Sequence, residues 1–126
     1  MPCEFSLNAE SRLLDLEILL VNNSVDVICI SETWLQTKHL DSAVSIAGFQ
    51  SPVRCDRPSG RCGVVAIYAR NRLYATAIKC AASPLFQCTG VSVTQSRRSP
   101  IAIIVTYSPP DSDADWFVDF IDLILS

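Results

Sequence analysis

Hydrophobic residues recur with two different periods along the chain, and the change of period separates an α/β start from a β-rich middle. Residues 3–7 (CEFSL) alternate weakly, which predicts a strand. Residues 13–21 (LLDLEILLV) have the helical spacing of apolar side chains, with Ser11 as the predicted N-cap. The apolar run within 25–31 (VDVICIS) predicts a strand that is covered on both faces. This order of elements is typical of an α/β unit.

The middle of the chain is a series of short runs rich in β-branched and aromatic residues, separated by Pro, Gly, Ser, Asn and Arg. Runs of this kind predict sheet strands joined by hairpins or short loops. They are FQSPVRC (49–55), GVVAIYA (63–69), LYATAIKC (73–80), FQCTGVSVT (86–94) and PIAIIVTY (100–107). Most of the sheet is therefore expected to come from these residues.

The chain ends on a predicted amphipathic helix. Pro109 and Pro110 stop the last strand, and the segment DSDAD that follows supplies helix-starting side chains with acidic groups at the favourable end. Aromatic and aliphatic residues then recur at helical spacing from Trp116 to Ile124. Such a helix should pack on a sheet, because burying one large apolar side chain contributes about 1.5–3 kcal/mol.

The composition is that of one packed domain. The chain has 126 residues, of which 49% are hydrophobic and 18% are charged. Its net charge of -3 provides no overall attraction for nucleic acid, although a local basic patch could still provide one. No apolar stretch reaches the ~18–20 residues of a transmembrane helix, so we expect no membrane span.

The six cysteines favour reduced thiols over a disulfide framework. None of them forms a CxxC pair, and the chain does not open with a secretory signal. We therefore predict an intracellular protein that is not secreted. Zinc binding is the alternative, but the cysteine spacings match no zinc pattern. The only histidine, His39, has neighbours typical of a polar surface loop.

Three polar residues lie at the ends of predicted strands. Glu32 follows the strand at 25–31, where an acid can reach the cleft in which α/β folds bind ligands, or can start the next loop as a capping acid. Asn8 follows the first strand and is also a typical turn or cap residue. Tyr107 ends the last strand and could equally be a core aromatic whose hydroxyl reaches the rim. If the three strands are neighbours, these side chains converge.

Five segments of the chain carry a resemblance to a known family, in their order and spacing. They are FSLNAES, DVICISETWL, GFQSPVRCDR, GRCGVVAIYA and IAIIVTYSPPDSDADWF. Together they resemble the first half of the endonuclease/exonuclease/phosphatase superfamily domain, of the apurinic-endonuclease-like type found in LINE-type (non-LTR) retrotransposons. SETWL and Y-x-P-P are the most specific parts, and the resemblance runs from residue 5 to residue 125.

The resemblance implies an α/β sandwich in which two mixed sheets pack face to face with helices outside, with residues 1–126 as the N-terminal part of that domain. It also implies a site that cleaves phosphodiester bonds with Mg²⁺ or Mn²⁺. Glu32 would be the metal-ligand carboxylate, Asn8 would help to set the metal and phosphate geometry, and Tyr107 would hydrogen-bond a phosphate oxygen. The implied partners are DNA and a linked reverse transcriptase, with the nucleus as a candidate compartment and the oligomeric state left open.

The sequence also departs from the family pattern. Glu10 stands where the family usually has an arginine, and Cys62 and Val64 interrupt a glycine-rich turn. The second-half Asp-x-Asn and Ser-Asp-His motifs do not occur in these 126 residues. Since general-base assistance typically contributes about 10²–10⁴-fold, we expect these residues alone to cut DNA poorly.

The leading prediction is therefore the amino-terminal part of a magnesium-dependent DNA endonuclease domain that nicks target DNA. Two alternatives stay open. One is a catalytically inactive interaction module on the same scaffold, and the other is a phosphoesterase of the same superfamily, because a shared fold does not define the substrate. SETWL and the turn CDRPSGR favour the nuclease lineage.

Overall fold

The computed structural model describes residues 10–31, 41–55, 65–82, 87–107, 118 and 120–122. Its first helix is α1 (Glu10–Val21), and a 3₁₀ helix follows at Asp41–Val44. The strands are β1 (Val27–Ser31), β2 (Val53–Cys55), β3 (Val65–Ala69), β4 (Tyr74–Ala82), β5 (Gln87–Thr94) and β6 (Ile101–Tyr107). Each predicted strand in these ranges is confirmed, and the residues described between 118 and 122 are helical, as the terminal pattern predicts. The strand predicted over 3–7 lies outside the described residues.

The six strands form two three-stranded antiparallel sheets. The first sheet has the order β1-β3-β2, and the second has the order β4-β5-β6. In the second sheet, short connections join consecutive strands, and short connections permit only antiparallel pairing. The described part of the chain is therefore mostly β-sheet with a helix beside it. The parallel pairings that mixed sheets require do not occur within it.

The two sheets pack face to face with their strands stacked in the same order. β1 contacts β6, β3 contacts β5, and β2 contacts both β5 and β4. The apolar layer between the sheets is built around Ile67, Leu73, Val91 and Val93. A second apolar layer covers the other face of the first sheet. Its buried members are Leu20, Val44, Ile46, Phe49, Ala66 and Tyr68.

The strand that is buried on both faces is β3, and the prediction that β1 has this environment is wrong. All five residues of β3 are buried, because Ala66 and Tyr68 face the layer that contains Leu20 of α1 while Ile67 faces the second sheet. β1 pairs with β3 alone among the described strands. Its position at the edge of the described sheet leaves its residues half-buried or exposed. An apolar run alone does not distinguish these two environments.

α1 confirms the predicted helix but begins at Glu10, so Ser11 lies inside the first turn and the predicted N-cap is wrong. Leu20 is buried, and Leu16 packs partly against the same apolar layer. The apolar side chains of α1 cover a wider face than the part of the helix that packs against the described residues. The side chains that stay exposed are Leu14, Ile18 and Leu19.

A buried hydrogen bond joins the first sheet to the 3₁₀ helix. Tyr68 is fully buried, and its hydroxyl donates to the carbonyl of Val44 over 2.7 Å. Burial raises the pKa of Tyr68 well above its usual range, so the hydroxyl remains a donor. Tyr68→Phe should lower the free energy of unfolding by about 1–3 kcal/mol, because it leaves the Val44 carbonyl unpaired.

Urea denaturation of both proteins measures this difference. Tyr74→Phe is the matched control, because Tyr74 is 71% exposed and its hydroxyl can be replaced by water. We expect the control to change stability little. Equal losses in the two variants would contradict a specific contribution from the buried bond.

Candidate functional site

β1 and β6 run in the same direction and finish at the same end of the sandwich. Val27 and Ile101, the first residues of the two strands, line one cavity together. Because β1 also packs against β6, their last residues, Ser31 and Tyr107, lie toward the opposite end. Residues at the ends of β1 and β6 can therefore contribute to one site.

On the second sheet, the interior changes from apolar to polar toward this end. Val93 and Val91 of β5 belong to the apolar layer between the sheets. The two-residue period of a strand places Thr89 and Gln87 on the same face. Tyr107 lies directly opposite Gln87 in the pairing with β6, so the two side chains emerge side by side.

The first sheet contributes two small side chains at the same end, the hydroxyl of Ser31 and the thiol of Cys55. Ser31 and Cys55 lie on either side of Val65 and share its face, which is turned to the second sheet. Cys55 is 3% exposed, whereas Ser31 is exposed. We call this end of the sandwich the polar end, and it comprises the residues Ser31, Cys55, Gln87, Thr89 and Tyr107.

Two side-chain oxygens at the polar end are buried without a hydrogen-bond partner. Gln87 is 5% exposed and Thr89 is completely buried. Neither Oε1 of Gln87 nor Oγ1 of Thr89 has a partner in the described part of the chain. A buried polar atom of this kind costs about 1–3 kcal/mol. The polar end therefore keeps two hydrogen-bond acceptors that the described fold does not use.

The backbone around these side chains is well paired. Thr106 Oγ1 donates to the Gln87 carbonyl over 2.9 Å, and the pairing of β5 with β6 continues without a shift from Gln87 to Val93. The only shift described in the second sheet lies between Ala77 and Cys80 of β4. Ala77 and Cys80 pair with Val91 and Thr89, so this irregularity of β4 lies beside Thr89, while the pairing of β5 with β6 stays regular.

The space between the sheets is open along β1 at the polar end. Cys29 and Ser31 face the second sheet by strand alternation with Val27, yet both are exposed. Partial burial still raises the pKa of the Cys29 thiol, so the thiol stays protonated and a poor nucleophile near neutral pH. A ligand could approach the polar end from this side.

The structure describes one of the three predicted site residues. Tyr107 is half-buried, is the last residue of β6, and belongs to the polar end. Glu32 comes directly after Ser31 in the sequence, but Glu32, Asn8 and the candidate surface residue His39 lie outside the described residues. The convergence of Glu32, Asn8 and Tyr107 therefore remains a prediction.

The donor chemistry of the polar end fits a hard cation better than zinc. Its buried, unpartnered atoms are an amide oxygen and a hydroxyl oxygen, the classes of ligand that Mg²⁺ and its water shell accept. Within the described ranges, no three His, Cys, Asp or Glu residues come together as a metal-ligating group. Cys29, Cys55 and Cys88 are not in disulfides.

The opposite end of the sandwich has a different character. A cavity of about 180 Å³ there has an apolar wall that includes Val27, Leu73 and Val93. Its polar lining residues are Asp26, Gln95, Arg98 and Ser99. Asp26 lies at its rim, where its carboxylate forms an ion pair with Arg72.

Sequence reasoning missed Gln87 and Thr89. The signal was present in the run QCTGVSV, where every second residue changes from Val93 and Val91 to Thr89 and Gln87 along one face. Polar residues on the buried face of an otherwise apolar strand are unusual, and their position predicts a polar interior. The face that is buried, however, became known only from the packing of the sheets.

Comparisons with known proteins do not assign the chain to a family. A scan of protein-family models finds no match, and a search of curated proteins finds no similar sequence. Among the described residues, no helix has the length and apolar character needed to cross a membrane.

Proposed function

We propose that the chain is part of a metal-dependent phosphodiesterase domain of the endonuclease/exonuclease/phosphatase type, and that the polar end is its substrate site. The single observation that carries the proposal is the pair of buried acceptors at Gln87 and Thr89, next to Tyr107. The family is proposed from the resemblance of the five sequence segments, which is strongest to the LINE-type nucleases. DNA is then the proposed substrate, with a linked reverse transcriptase as the proposed partner.

Glu32 is the proposed carboxylate ligand for Mg²⁺ or Mn²⁺, and Asn8 is the proposed second ligand. When bound, the ion would stabilise negative charge that develops on the phosphate during displacement. Tyr107 would orient the substrate by donating from its hydroxyl to a phosphate oxygen. The exposed stretch at Cys29 and Ser31 would give the substrate access to this group.

The proposal is tested by titrating the chain with Mn²⁺ and following the free ion by electron paramagnetic resonance. We expect one saturable site that Mg²⁺ displaces, because both ions prefer oxygen ligands. A binding assay is preferred to an activity assay, because the 126 residues contain no Ser-Asp-His and cutting is expected to be slow. No saturable site at millimolar Mn²⁺ would contradict the proposal.

Nicking of supercoiled plasmid with Mg²⁺ provides a second readout. We expect little conversion to the nicked form by the chain or by Glu32→Ala. Efficient cutting that survives the loss of Glu32 would contradict the assignment of this residue. Efficient hydrolysis of a small phosphoester without nicking would instead favour a phosphoesterase of the same superfamily.

A second candidate function is a catalytically inactive interaction module. The observation that favours it is the set of exposed apolar side chains on α1, Leu14, Ile18 and Leu19, each more than half exposed. Isolated apolar residues are normal on surfaces, but a contiguous group of them often marks a contact site. Absence of a Mn²⁺ site together with concentration-dependent self-association would favour this alternative.

A further inference from the structure

The chemistry of the two unpartnered oxygens at the polar end limits which ligand can satisfy them. Oε1 of Gln87 accepts hydrogen bonds and cannot donate them, and the hydroxyl of Thr89 has two lone pairs beside its single O–H donor. Both atoms are buried, and their residues lie two positions apart on β5, on the face turned to the layer between the sheets. Their natural complement is a compact group that carries several hydrogen-bond donors.

A hydrated divalent cation has this property. Mg²⁺ loses its waters reluctantly, and it is usually held by one or two carboxylates while several waters stay bound. These waters are polarised by the ion and donate strong hydrogen bonds to neutral oxygens. Groups that hold the waters of a metal site are outer-sphere ligands, and their loss typically weakens metal binding by about 10–100-fold.

We propose that Gln87 and Thr89 are outer-sphere ligands of the cation site, and that their oxygens accept hydrogen bonds from its bound waters. The proposal rests on the proposed function, since it requires a cation at the polar end. It adds two residues to the predicted site members Asn8, Glu32 and Tyr107. Both act by positioning the hydrated ion, and neither contacts the reacting phosphate.

Thr89→Val separates this role from a structural one, because the two side chains have nearly the same shape. Removal of an unpartnered hydroxyl from the interior should stabilise the metal-free chain, with a melting temperature higher by a few degrees in EDTA. The same change should raise the apparent Kd for Mn²⁺ by about tenfold. A gain in melting temperature together with a loss of Mn²⁺ affinity distinguishes the two roles, because a threonine with only a structural role would change the melting temperature alone.

Gln87→Glu should reverse both signs. The new carboxylate would be buried without a partner in the metal-free chain, so the melting temperature in EDTA should fall. A negative charge close to a cation should lower the apparent Kd for Mn²⁺. If this variant fails to fold in EDTA, Mn²⁺-dependent recovery of its far-ultraviolet circular dichroism supports the proposal, and absence of recovery counts against it.

Thr76→Val is the matched control. Thr76 is exposed on β4 and alternates with Ala75, which packs against the layer between the sheets, so its side chain points away from the polar end. We expect no change in Mn²⁺ affinity for this variant. If Thr89→Val and Gln87→Glu both bind Mn²⁺ with the apparent Kd of the wild type, the outer-sphere assignment is overturned. Absence of binding in the wild type would overturn the proposed function itself, so the two failures are distinguishable.

Discussion

Glu32→Gln is expected to raise the apparent Kd for Mn²⁺ by more than tenfold. The substitution keeps the size of the side chain and removes its charge. Two unit charges 4 Å apart interact by about 4 kcal/mol at an effective dielectric constant of 20, and part of this is offset when the carboxylate loses water. The remainder still exceeds the 1.4 kcal/mol that corresponds to one factor of ten.

The Mn²⁺ titration by electron paramagnetic resonance measures this change, with melting temperatures in EDTA as a check on folding. Asp26→Asn is the matched control, because it also removes one carboxylate. Asp26 lies at the opposite end of the sandwich, where it is paired with Arg72 and about half exposed. Equal weakening in the two variants would point to a diffuse effect of net charge and would contradict a site at Glu32.

Ile67→Ala is expected to lower the free energy of unfolding by about 2–5 kcal/mol. Ile67 is 1% exposed in the central strand of the first sheet, where it packs with Leu73 and Val91 between the two sheets. The truncated side chain leaves a cavity that close neighbours can fill only in part. Against a typical domain stability of about 5–15 kcal/mol, this is a large fraction of the total.

Urea denaturation followed by circular dichroism measures the loss. Ile101→Ala is the control, because Ile101 is 65% exposed at the start of β6. It removes the same three carbon atoms from a position that water already reaches, and we expect a loss below about 0.5 kcal/mol. Similar midpoints for the two variants would show that Ile67 does not anchor the layer between the sheets.

Local sequence patterns were sufficient to predict the strands and the first helix. Their periods are properties of a few neighbouring residues, such as the apolar run at β6 and the helical spacing over α1. The same patterns were less informative about element ends, since α1 begins at Glu10 and Ser11 is not its N-cap. Tyr107 is an example. The sequence predicted that it ends a strand, but it did not predict that Gln87 lies opposite it.

The polar end shows why the candidate site was harder to predict. Gln87 and Tyr107 are 20 residues apart in the sequence, and they become neighbours only through the pairing of β5 with β6. Thr89 is a favourable strand residue in any sheet, and nothing local indicates that its hydroxyl is buried without a partner. Asn8 and Glu32 were predicted from their positions after strands and from the family resemblance.

The sequence by itself determined which segments become strands and which become helix, because these choices depend on side-chain alternation and backbone preference over short distances. Only the tertiary structure decided that β3 and not β1 is the fully buried strand, that β1 and β6 run together, and that the inner face of β5 ends in two unpartnered oxygens. These features depend on which strands pair and which faces meet. The free energy of burying a face is a property of both partners, and one strand's sequence contains only half of that information.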